Sequence, residues 1–74
     1  MSQKISVVIE KDEYGYYAYC PDLVGCQTQG DSLGDVLAYI REAAEAYIST
    51  LSDEEKREVV SKEIMTASIE VGIA

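Results

Sequence analysis

The amino-acid sequence predicts an α+β fold. Three antiparallel strands form a meander, one long helix packs on one face of the sheet, and a fourth strand follows (β-β-β-α-β). Three observations predict it. Apolar and polar residues alternate near both ends of the chain, a tyrosine-rich segment runs into a proline-glycine turn, and apolar residues recur every three or four positions across residues 33–51. The 74 residues contain no repeat or linker, so we expect a single domain over residues 1–74.

The first two strands are predicted to form a hairpin. In residues 3–10 the odd positions from 5 to 9 are apolar and most even positions are polar, which is typical of a half-buried strand. Residues 11–15 are mostly polar and end in a glycine, which favours a hairpin loop of four or five residues. Residues 16–20 then return antiparallel, and their tyrosines fall on both faces of the sheet.

The segment after the hairpin connects the sheet to the helix. Pro21 has no backbone N–H for a sheet hydrogen bond, so the second strand should end before it. Residues 22–25 form a turn, and residues 26–29 are long enough for a short third strand. Asp31 or Ser32 then offers a side-chain oxygen to cap the helix.

The long helix is predicted over residues 33–51. Its apolar residues share one face, which should pack on the sheet: Leu33, Val36, Leu37, Ile40, Ala44, Tyr47, Ile48 and Leu51. The opposite face is polar and mostly acidic.

A short charged helix and a last strand are predicted after it. Ser52 and Glu55 have the spacing of a capping box, which predicts a helical segment over residues 53–60. From residue 63 onwards, apolar residues again occupy alternate positions. A fourth strand parallel to the first would give the strand order 3-2-1-4, with a right-handed crossover. One helix covers only one face of such a sheet, so we expect a homodimer or higher oligomer, or a partner on the other face.

The charge of the chain limits its partners. It has 14 acidic residues, 6 basic residues and no histidine, giving a net charge of -8. Phosphate backbones and anionic membranes would repel it, so we expect neither nucleic-acid nor membrane binding. A basic protein is the better counterpart, although an acidic surface can also serve solubility alone.

Catalytic, metal and cofactor sites are not predicted. Cys20 and Cys26 lie in or beside strands, where thiols usually act as small apolar groups, and no histidine completes a zinc site or activates a nucleophile. Asp12, Asp22 and Asp31 are candidates for a two-metal carboxylate site, but each has a structural role in a loop, turn or cap. We therefore expect no enzyme activity. The sequence shows no signal peptide, so the cytoplasm is the expected location.

Residues 12–47 carry a combination of short motifs. They are Gly15-Tyr16-Tyr17-Ala18, Pro21-Asp22-Leu23, Gly25-Cys26, Thr28-Gln29-Gly30-Asp31-Ser32 and, on the helix, Glu42-Ala43. This combination resembles the HicB-like antitoxin family. The resemblance implies a partial ribonuclease-H-like fold. It also implies inhibition of a small basic toxin (HicA-like) that cleaves messenger RNA with a catalytic histidine.

The sequence departs from the family pattern in places. Val24 replaces the usual turn proline, and Gly34 and Tyr39 replace the usual glutamate and asparagine on the helix. Members of this family often carry an additional DNA-binding module, whereas this sequence stops at Ala74 after the predicted last strand, so we expect no direct DNA binding. Short members without an evident toxin also occur, which leaves open a stand-alone oligomeric binding or scaffold module.

Two groups of side chains are predicted to contact a partner. The acidic group comprises Asp35, Glu42, Glu45, Asp53 and Glu54, and the aromatic group comprises Tyr16 and Tyr17 on the sheet.

Overall fold

The computed structural model describes residues 4–59 and 62–74. It contains a three-stranded antiparallel sheet in the order β1-β2-β3, with a long helix packed on one face. The elements are β1 (Val8–Asp12), β2 (Gly15–Tyr19), β3 (Gln27–Gly30), α1 (Leu33–Ser49) and α2 (Asp53–Glu58). The predicted α+β class, the meander and the long helix are confirmed.

The hairpin between β1 and β2 is tighter than expected. Asp12 pairs with Gly15, so only Glu13 and Tyr14 form the loop, instead of four or five residues. Gly15 has a φ of 135°, which glycine reaches without a Cβ clash and which reverses the chain within two residues. The Asp12 carboxylate accepts a hydrogen bond from the Tyr14 N–H at 2.8 Å and fixes the turn.

β1 begins at Val8, later than predicted. The residues that would pair before Val8 lie opposite the end of β2, which stops at Tyr19. There Cys20 donates its N–H to the Cys26 carbonyl at 3.0 Å, and Pro21 follows with no N–H to give. Residue 3, where this strand was predicted to begin, lies outside the described residues.

The core lies between the sheet and α1. Its buried residues are Ala18, Cys20, Leu23, Cys26, Val36, Ile40 and Ala44. The apolar stripe of α1 is only partly covered, since Leu33 and Leu37 remain 48% and 44% exposed. β3 approaches α1 closely at Gly30, where a Cβ would lie 2.8 Å from the Val36 backbone nitrogen. A residue without a side chain is therefore needed there.

Side-chain caps set the helix starts as predicted. The Ser32 hydroxyl accepts the Asp35 N–H at 3.0 Å and begins α1. Ser52 and Glu55 form the predicted capping box of α2: the Ser52 hydroxyl accepts the Glu55 N–H at 3.1 Å, and the Glu55 carboxylate accepts the Ser52 N–H at 2.9 Å. α1 ends at Ser49, two residues before the predicted end, and residue 60, the predicted end of α2, lies outside the described residues.

Residues 62–74, which we call the arm, form no strand in this chain, although a fourth strand was predicted there. All of them are exposed, and the molecule measures 51 × 26 × 19 Å, so it is far from spherical. The arm begins beside the edge of the sheet, where the Lys62 carbonyl accepts a hydrogen bond from the Ser6 hydroxyl at 3.0 Å. Only Ile64 and Thr66 of the arm line the shallow hollow along residues 6–9. An alternating sequence alone cannot form a strand unless a neighbouring strand accepts its backbone hydrogen bonds.

Candidate protein-binding surfaces

The outer face of α1 carries three of the predicted acidic residues. Asp35, Glu42 and Glu45 are exposed, and at 100° per residue they lie within about 80° of one another around the helix axis. The buried residues of α1 occupy the opposite side. The helix period therefore brings these three carboxylates together on one surface, which we call the acidic helix face.

α2 presents the other two predicted acidic residues. Asp53 and Glu54 are exposed in its first turn, while Glu55 is engaged in the capping box. The hydrogen bonds from the Ser52 backbone and side chain hold the pKa of Glu55 below its ordinary value. Asp53 and Glu54 therefore add two negative charges that face solvent at the start of α2.

The two predicted tyrosines lie on opposite faces of the sheet. Tyr17 lies on the face away from α1, where its hydroxyl donates to the Gln27 side-chain carbonyl at 2.8 Å and its ring centroid is 5.8 Å from that of Tyr19. Tyr16 is half-buried and packs against the core on the helix side. The Lys11 ammonium lies 5.5 Å from the Tyr16 ring centroid, within the range of a cation–π contact. The two rings therefore do not form one flat surface.

A hollow of about 530 Å³ lies at the end of the sheet where the hairpin turns and β3 leads into α1. We call it the acidic tyrosine hollow. Its charged and aromatic lining consists of three carboxylates, one lysine and four tyrosines: Glu10, Asp12, Asp31, Lys11, Tyr14, Tyr16, Tyr17 and Tyr39. Aromatic faces and carboxylates both attract cationic side chains, so the hollow can accept a lysine or arginine.

Sequence reasoning missed most of this hollow. Its lining residues come from β1, the hairpin loop, β2, β3, the link after β3 and α1, and no local motif connects them. One signal was available: all six aromatic residues of the chain are tyrosines. Tyrosine combines an apolar ring with a polar hydroxyl and is enriched at binding surfaces, whereas a core would normally also use phenylalanine.

The two thiols beside the turn between β2 and β3 are buried. Cys20 and Cys26 are buried free thiols, and burial, followed by the proximity of Cys26, raises the pKa of Cys20 to about 12. Such a thiol is almost entirely protonated at neutral pH and is a poor nucleophile. Both carboxylate oxygens of Asp22 are buried, and no described residue donates a hydrogen bond to them.

The described residues contain no group of three or more histidine, cysteine, aspartate or glutamate side chains placed to hold a metal ion. Asp12 and Asp31 line the acidic tyrosine hollow, whereas Asp22 is not among its lining residues. Within residues 4–59 and 62–74, no helix combines the length and the apolar character needed to cross a bilayer.

These features define a small acidic α+β domain whose notable surfaces are suited to binding another protein. Its sequence matches the family described as "HicB_like antitoxin of bacterial toxin-antitoxin system" over residues 5–71. The chain belongs to this HicB-like antitoxin family. Membership supports an antitoxin role in general and implies a toxin partner in general. The family is one of antitoxins and is not a known enzyme family.

Similar proteins occur in bacteria and archaea. The chain is 43% identical over 70 residues to a UPF0150 protein of Helicobacter pylori, covering 95% of this chain and 97% of the relative. It is 38% identical over 63 residues to a UPF0150 protein of Archaeoglobus fulgidus, covering 84% of this chain and 91% of the relative. A UPF0150 protein of Thermoplasma acidophilum is 49% identical over 49 residues, or 65% of this chain and 71% of the relative. No solved structure gave a match.

Proposed function

We propose that this domain neutralises a small basic RNA-cleaving toxin of the HicA type by direct contact. Family membership supports an antitoxin role. The observation that carries the contact mechanism is the acidic helix face, where three exposed carboxylates lie on one side of α1 in a chain of net charge -8.

The acidic residues would act by replacing RNA at the toxin surface. A toxin that cleaves RNA needs cationic side chains to hold the phosphate backbone. The acidic helix face and the first turn of α2 offer carboxylates to the same cations. Complementary charge speeds the encounter and penalises partners of the wrong sign. An antitoxin bound in this way would exclude RNA from the toxin by competition for its basic surface.

The acidic tyrosine hollow would anchor the complex. Binding energy in protein interfaces is concentrated at a few well-packed aromatic and arginine contacts. A lysine or arginine of the toxin entering the hollow would meet Glu10, Asp12 and Asp31 and the rings of its other tyrosines, since Lys11 of this chain already lies over Tyr16. In this proposal the predicted Tyr16 and Tyr17 would contribute to the interface, because both line the hollow.

Self-association and nucleic-acid binding form the second part of the proposal. We propose that the chain forms a homodimer or higher oligomer, and that it does not bind nucleic acid directly, since its carboxylates would repel phosphates. If no toxin exists, the same domain would be a stand-alone oligomeric binding module. The exposed apolar arm is the observation that favours self-association.

The test uses charge reversal with a matched control. Where the neighbouring reading frame encodes a small basic protein, that protein is purified. Its affinity for the wild-type domain is measured by titration calorimetry, together with the inhibition of RNA cleavage. We expect Asp35→Lys combined with Glu42→Lys to weaken binding at least tenfold and to restore cleavage. The control combines Glu58→Lys with Glu63→Lys, two exposed positions off the acidic helix face, and changes the net charge equally.

The control separates a local contact from a general charge effect. We expect the control variant to bind within about threefold of the wild type, because surface charges at a distance are screened by salt. Equal weakening by both variants would overturn the acidic helix face as the contact surface. Absence of any complex with a basic neighbour, together with no relief of growth arrest on co-expression, would overturn the antitoxin mechanism in favour of the stand-alone module.

A further inference from the structure

The arm carries an apolar stripe that covers nothing in its own chain. Its alternate residues are the apolar set Met65, Ala67, Ile69, Val71 and Ile73. The larger ones are far from buried: Met65 and Ile69 are each 82% exposed, Val71 is 68% exposed and Ile73 is 93% exposed. Period-two alternation is the pattern of a strand with one buried face, so this stripe is suited to an apolar surface that accepts a strand.

Such a surface exists on the same molecule and is uncovered. A groove of about 670 Å³ lies between the segment before β1 and the side of α1. Its apolar lining residues are Ile5, Val7, Leu37, Ala38, Ile40, Ala44 and Ile48, and no arm residue is among those that line it. β1 is an edge strand of the sheet, and Ile64 and Thr66 of the chain's own arm lie beside residues 6–9, outside this groove.

We propose that two copies of this chain exchange arms, each arm from Met65 onwards filling the apolar groove of the other copy. This inference rests on the self-association proposed above and names its surface. An isologous dimer would cover both the exposed arm and the open groove, because each copy supplies one arm and one groove. The segment predicted from the sequence as a fourth strand would then pack on a second chain.

The path of the arm favours a second copy over the same chain. The Lys62 carbonyl is held by the Ser6 hydroxyl, and Ile64 and Thr66 lie beside residues 6–9. The arm therefore starts at the edge of its own β1, yet its alternate apolar residues from Met65 onwards remain turned to solvent. The chain's own arm leaves the groove open, so the arm of a second chain can enter it.

The charges favour a second copy over a basic partner. Two chains of net charge -8 repel each other wherever carboxylates face each other. The groove lining includes one acidic residue, Glu45, and one basic residue, Arg41, and between residues 64 and 74 the arm carries only Glu70 as a charged side chain. This surface is close to neutral, and Arg41 offers a cation to Glu70. A basic toxin would gain little here, whereas an identical copy avoids most of the repulsion.

The experiment compares single aspartate substitutions on the full chain. Sedimentation equilibrium from 1 to 100 µM, roughly the range for a weak dimer, measures the dimer dissociation constant. We expect Ile69→Asp on the arm and Leu37→Asp in the groove each to raise it at least tenfold. Val24→Asp is the matched control, because Val24 is 86% exposed in the turn between β2 and β3, away from both surfaces. We expect it to change the dissociation constant less than threefold.

A cross-link then identifies the exchange. Leu37→Cys and Ile69→Cys are made in separate chains of different tag length, mixed and oxidised. The native cysteines are buried and do not compete. We expect a disulfide between the two differently tagged chains, and little cross-linking when Ile69→Cys is replaced by Val24→Cys. Circular dichroism on each variant confirms that it is folded.

The outcomes distinguish the two proposals. A wild-type chain that stays monomeric at 100 µM overturns both self-association and the arm exchange. A dimer that tolerates Ile69→Asp and Leu37→Asp as well as Val24→Asp keeps self-association and overturns the arm exchange. A further chain carries both Leu37→Cys and Ile69→Cys. If a disulfide forms within this chain but not between the two single-cysteine chains, and the wild type is monomeric, the arm closes on its own groove and the exchange is overturned.

Discussion

Gly30 is the position where one added methyl group should disturb the fold most. A Cβ at residue 30 would lie 2.8 Å from the Val36 nitrogen, 3.1 Å from its Cα and 3.2 Å from its Cβ. The atoms in the way include the backbone of α1, which cannot rotate aside as a flexible side chain could. Val36 is fully buried, and its N–H donates to the Ser32 carbonyl at 3.0 Å, so moving it disturbs both the core and the first turn of the helix.

The expected cost of Gly30→Ala follows from this overlap. Forcing an extra methyl group into a packed core usually costs about 1–3 kcal/mol of unfolding free energy. In a domain of 60–100 residues each kcal/mol lowers the melting temperature by about 4–8 °C, so we expect a fall of about 4–24 °C. The larger part of that range applies if the start of α1 shifts as a unit, because the core contacts of Val36 and the Ser32 cap then change together.

Thermal unfolding followed by circular dichroism measures the effect, at one fixed protein concentration because self-association also shifts the transition. Gly72→Ala is the matched control, since no heavy atom lies within 4 Å of a Cβ there. Gly34→Ala should change the melting temperature in the opposite direction. Gly34 lies in the first turn of α1, where alanine should raise the unfolding free energy by up to about 1 kcal/mol. A melting temperature for Gly30→Ala that matches that of Gly72→Ala would refute the close approach of β3 to α1.

Three further results are expected. Ser52→Ala removes the hydroxyl that caps α2 and should destabilise this helix by about 0.5–2 kcal/mol, seen as faster amide exchange in α2 with the core unchanged. The pKa of the Cys20 thiol is about 12 in the folded chain and near 9.0 in the unfolded chain. The contribution of Cys20 to the unfolding free energy should therefore be complete below pH 9.0 and fall as the pH rises toward 12. Cys20→Ala should remove this part of the pH dependence when denaturation is measured as a function of pH. Asp22→Asn should raise the unfolding free energy by about 1 kcal/mol, because it replaces a buried carboxylate that has no described hydrogen-bond donor with a neutral amide. Urea denaturation measures this change, and a lower unfolding free energy for the variant would show that the carboxylate has a partner.

The elements predicted well from the sequence are those specified by neighbouring residues. The three- and four-residue spacing places Val36, Ile40 and Ala44 on the buried side of α1, and the serine caps lie at the predicted positions. These features depend on contacts within one or two helical turns. They are therefore contained in a short stretch of sequence.

The elements predicted less well depend on a second segment. β1 begins at Val8 because β2 ends at Tyr19, which the first ten residues cannot reveal. The hairpin loop has two residues because Gly15 adopts a φ of 135°, whereas the same residues could also form a longer loop. The arm has the alternation of a strand and forms none in the single chain, since alternation specifies a face but not the neighbouring strand.

The two candidate surfaces also differ in whether neighbouring residues or a second segment specify them. The acidic helix face could be predicted because Asp35, Glu42 and Glu45 share one helix and its period. The acidic tyrosine hollow could not, because Tyr39 on α1 and Tyr14 in the hairpin loop meet only through the packing of α1 on the sheet. The close contact between Gly30 of β3 and Val36 of α1 holds the helix against the sheet. A substitution at Gly30 that moves α1 should therefore also deform the hollow.

The two proposed interfaces lie on neighbouring sides of α1 and meet at Glu45, which belongs to the acidic helix face and also lines the groove. At 100° per residue, Glu42 on the acidic helix face is about 140° around the helix axis from Leu37 in the groove. Arm exchange would therefore cover Glu45 and leave Asp35 and Glu42 of both copies open. A dimer of this kind would concentrate two acidic surfaces in one particle and could hold two basic toxin molecules. Its affinity for the toxin should then depend on salt, because that contact pairs opposite charges, whereas the dimer contact should depend on salt much less.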